Sequence, residues 1–417
     1  MRRLTTTETV TCALLTCFRN DWAAALTLAC PSLRIVALAA APLGLQQLPN
    51  PFALPEADAA DAVLVTGYWL QWLHRTHPDQ AEQVLTALDR CCRVAIGFDG
   101  ADQFELGIPP RDLARFPLTL KFQGVFHDRD LYNYDLGPWH PDAIWALKRR
   151  PKRERYADAD LERLFLSPPC TMLDLAGVRR STRRYEVGTA RTVAADIGPA
   201  RRARRAVAEF AFASALRAMP VGHRPRDVHL VATLSHVQRL EACRRLARFD
   251  GARGLNLAPV VYPPGDSDDG ATVRERLQRQ SADLQRPVAG RLRFVAEMAQ
   301  HRIVVAPTGY GELGQRHGWA LRTGAALVCQ DLSHVRMMYP LRDRENALFC
   351  RPDLADLEDR VAELLADEQL RRQIALEGRR SFHRWACRWR EQLDAGIAAP
   401  VREALGRGSP ARPGWTE

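Results

Sequence analysis

The sequence predicts an α/β chain made of two Rossmann-like domains with a cleft between them. Short apolar, strand-like runs alternate with helix-periodic stretches in the first 130 or so residues. That rhythm breaks over 147–205 and restarts at 227. A chain of 417 residues also exceeds the size of one ordinary core and fits two.

The strand candidates of the first half are 12–18, 33–39, 62–68, 93–98 and 118–126. Between them, 21–30 and 79–91 carry helical spacing, the latter with Val84, Leu85 and Leu88 on one face. Continuous apolar strands separated by helices point to a parallel sheet covered on both faces. Basic clusters at 148–155, 179–184 and 201–205, interrupted by Pro168 and Pro169, mark the junction region. The expected division is 1–200 for the first domain, 201–405 for the second and 406–417 for a disordered tail.

The second half opens with a strand at 227–234 and a helix at 237–248. A short strand at 258–262, helices at 272–284 and 292–300, and strands at 303–306 and 325–329 come next. Leu357, Val361, Leu364 and Leu365 then form an apolar helical face, with Asp353 or Asp356 before it as the N-cap. The last helices, 370–393, are expected to cross back and brace the first domain.

Composition narrows the function classes. A 46% hydrophobic chain with 26% charged residues is globular, not disordered. The net charge of +10 favours an anionic partner, although a GC-rich genome alone would raise the arginine count. Only Lys121, Lys148 and Lys152 are lysine. Ten scattered cysteines without CxxC spacing read as reduced thiols, many of them buried, in a cytoplasmic protein. No run approaches the about 20 apolar residues of a membrane span, and the polar threonines after Arg3 do not suit a signal peptide.

The sharpest segment runs from Ile303 to Arg316. A buried strand ends at Pro307, and Thr308-Gly309-Tyr310-Gly311-Glu312-Leu313-Gly314 leads into a helix carrying Arg316. Glycines allow close backbone approach to a ligand, and the helix N-terminus offers unpaired N–H groups to an anion. Arg316 could grip the same anion, and Glu312 shares its helical face. A tight strand-to-helix turn with a surface Glu–Arg pair is the plainer alternative. The GxGxxG spacing alone is weak evidence, because it lies deep in the second half and not in a first βαβ unit.

Together with Gly324-Ala325-Ala326-Leu327-Val328 and Asp331-Leu332-Ser333-His334, this segment resembles the donor-binding end of GT-B glycosyltransferases. More narrowly, it is similar to the spore-maturation-protein-like group of glycosyl group 1 transferases. The resemblance is good over 290–380 and extends weakly through 225–290. Glu345-Asn346-Ala347, Asp353-Leu354 and Leu357 also match that family's run into its last core helix. It implies two Rossmann-like domains of GT-B type and a metal-independent transferase with no cofactor. Such an enzyme would move a sugar from a nucleotide donor to a hydroxyl acceptor. Thr308, Gly309, Tyr310, Gly311, Glu312 and Arg316 would then line the donor site. One position departs: the family's ribose-binding Glu is Trp319 here. An indole cannot accept two ribose hydroxyls. The ribose therefore falls to Glu312 or another residue, or the donor differs, or binding is lost.

Other candidates sit at strand ends. Ser235 and Arg239 come after the strand at 227–234, and the resemblance implies that they support the diphosphate, with helix capping by Ser235 as the alternative. Asp99 ends a buried strand and is a candidate general base, or else a residue of an Asp-Gly turn. His127, the second catalytic candidate, lies in the polar–aromatic run 121–134, which suits an acceptor-facing loop or an amphipathic edge. His334 could contact donor or acceptor. His74 and His77 read as surface histidines. No His, Cys, Asp or Glu cluster has metal-ligand spacing. An anionic membrane surface is a further candidate partner, in keeping with a cytoplasmic protein peripheral to the membrane. The alternative function classes are a degenerate GT-B binding protein and a basic nucleic-acid-binding protein; the latter lacks a zinc-finger, RRM or homeodomain signature.

Overall fold

The structure, a computed structural model, describes residues 10–16, 30, 32–40, 60–91, 94–100, 106–135, 150–167, 221, 224–234, 237–249, 252–259, 277, 279–284, 291–308, 313–339 and 341–406. In the first half, β1 (Val10–Thr16), β2 (Leu33–Ala40), β3 (Ala62–Thr66), β4 (Ala95–Asp99) and β5 (Thr119–Lys121) form strands. They are joined by α1 (Gly67–Thr76), α2 (Pro78–Cys91) and α3 (Pro110–Leu113). Beyond β5 come β6 (Val125–Phe126), a 3₁₀ turn (Arg129–Asn133), β7 (Tyr134–Asp135), β8 (Arg150–Pro151), α4 (Asp158–Leu161) and β9 (Leu164–Leu166).

The second half runs β10 (Arg226–Leu234), α5 (Val237–Ala247), β11 (Ala252–Pro259), α6 (Arg291–Met298) and β12 (His301–Ala306). It continues through α7 (Gln315–Thr323), β13 (Ala326–Gln330), β14 (Val335–Arg336), β15 (Leu348–Cys350), α8 (Leu357–Ala366) and α9 (Glu368–Cys387). The last elements are α10 (Trp389–Leu393), a π turn (Asp394–Ala398) and α11 (Ala399–Gly406).

Two parallel sheets result, as the alternation predicts. The first has the order β2-β1-β3-β4-β5-β9 and the second β11-β10-β12-β13-β15. In each, the strand order reverses once, between β1 and β3 and between β10 and β12. A doubly wound sheet opens a crevice at such a switch point, outside the carboxyl ends of its strands.

Alternation along the strands distributes the core. On β12, Ile303 and Val305 join the cluster around Val228, Leu230 and the α8 residues Leu357 and Val361. Val304 and Ala306 face the other way, into a cluster that runs on through the first sheet and the C-terminal helices. Period-two burial on both faces is what a covered parallel strand requires. The chain does return across the first half: Ser167 Oγ donates to Gly396 O at 2.7 Å, and Cys30 Sγ to Leu393 O at 3.7 Å.

Several element boundaries differ from expectation. The run 118–126 is not one strand. Gln123 adopts φ 73° and Gly124 N closes on Phe122 O at 3.0 Å, so the chain turns out of the first sheet after β5. The next strand, β6, pairs antiparallel with β14 of the second half. The run 62–68 ends two residues early because Thr66 caps α1, accepting from Trp69 N at 3.3 Å. The strand expected at 258–262 begins earlier, as β11. The helix at 21–30, all but residue 30, and residues 272–276 and 278 of the helix at 272–284 lie outside the described residues, as does the 200/201 division. So do residues 407–417 of the expected tail.

Among the described residues, Cys12, Cys30, Cys243, Cys329 and Cys350 are buried free thiols and Cys387 is an exposed one. No described helix is long and apolar enough to cross a membrane.

Candidate functional site

The site lies at the switch point of the second sheet. Thr308 comes just after β12 and is 1% exposed. Its N and Oγ1 both donate to Gln330 Oε1 at the end of β13, at 2.8 and 2.7 Å. Gln330 is fixed in turn by donating from Nε2 to Pro352 O at 2.6 Å. From the other side of the switch, Arg239 in the first turn of α5 donates from Nε to Thr308 O at 3.3 Å. The backbone at Thr308 is therefore held from a neighbouring strand and from helix α5.

Helix α7 starts on the far side of that loop. Gly314 N donates to His317 Nδ1 at 3.0 Å, which leaves the His317 proton on Nε2, buried and without a hydrogen-bond partner among the described residues. Arg316, one residue earlier, is half-buried, and its Nε is likewise buried without a hydrogen-bond partner among the described residues. Burial, then the like charge of Arg239, pulls the Arg316 guanidinium down to about 9. It stays cationic at neutral pH, in surroundings that push against the charge. Burial and Arg316 hold His317 at about 3, so its imidazole is neutral.

Arg239, Arg316, the buried His317 imidazole and the N-terminus of α7 thus flank the ends of the glycine-rich segment. An oxyanion placed there would relieve the Arg239–Arg316 repulsion and satisfy buried donors. A nucleoside diphosphate has the charge and the acceptor count for such a place.

Trp319 is buried, 8% exposed, within the core, and the Arg322 guanidinium lies 5.4 Å from its ring centroid. The position is a packing position in this chain. Gly309, Tyr310, Gly311, Glu312 and Ser235 lie outside the described residues.

The first-half candidates fare differently. Asp99 is 1% exposed and both its oxygens are engaged: Gly107 N donates to Oδ2 at 2.7 Å, and Lys121 Nζ lies 3.3 Å from Oδ1. Lys121 is itself fully buried. The carboxylate is thus held by an internal ion pair with Lys121 and by the backbone N–H of Gly107. His127 is exposed, and its backbone N donates to His334 O at 3.0 Å, so both histidines stand at the β6–β14 seam where the halves meet. His334 stacks on Phe126, with ring centroids 5.9 Å apart. His74 is not a plain surface residue, since its Nε2 lies 2.7 Å from the buried Asp112 Oδ2.

Sequence reasoning missed Gln330, Gln238 and His317. Gln330 carries a signal after the fact, as an amide at the carboxyl end of an otherwise apolar strand. Among the described residues no group of three or more His, Cys, Asp or Glu could hold a metal ion.

No protein-family model matches the chain, and no curated protein matches it. Solved structures do align. A glycosyltransferase from Rickettsia africae is 7% identical with a TM-score of 0.49, over 96% of this chain and all of its own. The Anabaena protein HepE in complex with UDP is 10% identical with a TM-score of 0.48, over 93% and all of its own. A UDP-GlcNAc 2-epimerase from Neisseria meningitidis is 9% identical with a TM-score of 0.45, over 94% and all of its own. At such values these likenesses decide neither fold nor activity; the α/β architecture stands on the strand order itself.

Proposed function

We propose that this chain is a GT-B glycosyltransferase that moves a sugar from a nucleotide-activated donor to a hydroxyl acceptor. The observation that carries the reading is the pairing of Arg239 and Arg316 about the Thr308 loop, at the switch point of the second sheet. The sequence resemblance over 290–380, including its narrower likeness to the spore-maturation-protein-like group, supports it.

In the transfer, an acceptor oxygen forms a bond to the anomeric carbon while the bond from that carbon to the donor diphosphate breaks. The departing diphosphate takes the electron pair. The guanidiniums of Arg239 and Arg316 and the N-terminal N–H groups of α7 stabilise that charge without a metal ion. The acceptor proton leaves to a general base. Glu312 is the carboxylate left for the ribose. The first half, residues 1–200, presents the acceptor and the second, 201–405, the donor. The chain works in the cytoplasm, in reach of an anionic membrane surface.

The arginine surplus fits this reading better than nucleic-acid binding. Arg115, Arg155, Arg245, Arg302, Arg342, Arg351 and Arg360 all face carboxylates in ion pairs. A degenerate binding protein would share the donor site, so turnover separates the two. Purified protein incubated with a panel of nucleotide sugars should release nucleoside diphosphate. Stabilisation by a nucleoside diphosphate without turnover of any donor would favour the degenerate form.

A further inference from the structure

We propose a second oxyanion site at the seam of the two halves, where Arg129 and Arg336 together bind a phosphate group, that of the acceptor if the chain is the transferase proposed above.

The seam is built from main chain. Val125 and Phe126 of β6 pair with Arg336 and Val335 of β14, and His127 N donates to His334 O at 3.0 Å. This fixes residues of both halves in one register. Arg336 lies opposite Val125 and is exposed. Arg129 begins the turn that leaves β6, is half-buried, and has its Nη1 buried without a hydrogen-bond partner among the described residues. Burial pulls the guanidinium below its ordinary value; Tyr132 offsets part of this, and the like charge of Arg336 adds to it.

Nearby carboxylates are committed elsewhere. Asp128 Oδ1 accepts from Asp130 N at 3.0 Å, Asp130 pairs with Arg155 at 3.1 Å, and Asp331 Oδ1 accepts from Ser333 N at 2.8 Å. Two guanidiniums at one strand seam, one of them with a buried orphan donor, are what a tetrahedral oxyanion would satisfy by charge-assisted hydrogen bonds. The place is right for an acceptor. β14 begins five residues after Gln330, which holds the donor loop, so the backbone at Val335 is at most about 18 Å from that at Gln330. A ligand gripped here would also touch both halves.

The test uses the full chain carrying Arg316→Ala, so that the donor site does not compete. Binding of inorganic phosphate is monitored by phosphorus-31 line broadening at constant ionic strength. Binding should persist in that background. It should weaken about ten-fold on adding Arg129→Gln, and again with the exposed and fold-neutral Arg336→Gln, the loss expected for one charge-assisted contact. Glucose 6-phosphate and vesicles containing phosphatidate are then tried as competitors. Competition by either supports the site and says whether its phosphate is soluble or membrane-borne. Absence of phosphate binding in the Arg316→Ala protein, indifference to both Arg129→Gln and Arg336→Gln, or competition by neither compound overturns the proposal. If no nucleoside diphosphate binds the native chain yet phosphate binding depends on Arg129 and Arg336, the transferase reading fails and this site stands.

Discussion

Arg239 donates its Nε hydrogen to the carbonyl oxygen of Thr308 across 3.3 Å, and so joins the two loops that flank the switch point of the second sheet. The like charge of Arg239 adds to burial in pulling the Arg316 guanidinium down. Replacing Arg239 with alanine should free the Thr308 carbonyl as well as remove a cation. Donor affinity should fall by about ten-fold or more, the scale of a lost charge-assisted contact. Calorimetric titration with the best nucleoside diphosphate checks it; unchanged affinity would remove Arg239 from the site.

The Asp99–Lys121 pair predicts a stability effect in place of a catalytic one. Lys121→Met leaves a buried carboxylate without its counter-ion and should cost about 3–5 kcal/mol in denaturant unfolding. The double variant Asp99→Leu with Lys121→Met should recover much of that loss. A variant Asp99→Asn that folds with native stability but turns over no donor would instead restore Asp99 as a base.

Buried histidines set the acid side of the stability profile. Burial, joined by His301 and Arg316, holds His229 at about 3, and His317 sits equally low. Their folded values lie below the ordinary 6.5, so below that pH the unfolded chain binds more protons. Their contribution is complete above about 6.5 and is lost as pH falls toward the folded values. Each should add a slope of about 1.4 kcal/mol per pH unit near pH 5. Urea unfolding of His229→Phe between pH 4.5 and 7 should show one such increment removed; an unchanged slope would contradict the assignment.

At the end of α7, Gly324 has φ 70°, and a Cβ there would meet Val221 Cγ2 at 2.9 Å. Gly324→Ala should destabilise by about 1–2 kcal/mol from the left-handed backbone alone, with the contact adding to it. Denaturant unfolding reads the difference. Stability equal to the native chain would mean that the helix can end otherwise.

Trp319 fills core volume, at a position where the transferases that the sequence resembles carry a ribose-binding Glu. Trp319→Phe should keep nucleotide affinity and lose modest stability, whereas Trp319→Ala should cost about 3–5 kcal/mol. A selective loss of nucleotide affinity in Trp319→Phe, at intact stability, would show the indole touching the ligand.

Much of the fold is legible because a parallel strand must be apolar on both faces, and Ile303–Ala306, Ala325–Cys329 and Ala62–Val65 are. The turn at Gln123 was not legible, since it depends on a left-handed residue that is not glycine and on a partner strand some 200 residues away. For the same reason the seam, and with it the placement of His127 against His334, escapes local pattern reading. At the site, Arg239, Thr308 and Arg316 could be named from strand-end and helix-start positions. Gln330 could not, because its role is to fix Thr308 from a neighbouring strand. Asp99 shows the reverse: its strand-end position was right, but its role was decided by Lys121, 22 residues on, whose ammonium turns toward it inside the fold.

The most direct test is calorimetric titration of ADP, GDP, UDP and dTDP into the native chain and into Arg316→Ala. Binding of at least one to the native chain, weakened by about ten-fold or more in Arg316→Ala, is the predicted result. Equal binding to both proteins, or binding of none to the native chain, would contradict a donor site at the Thr308 loop.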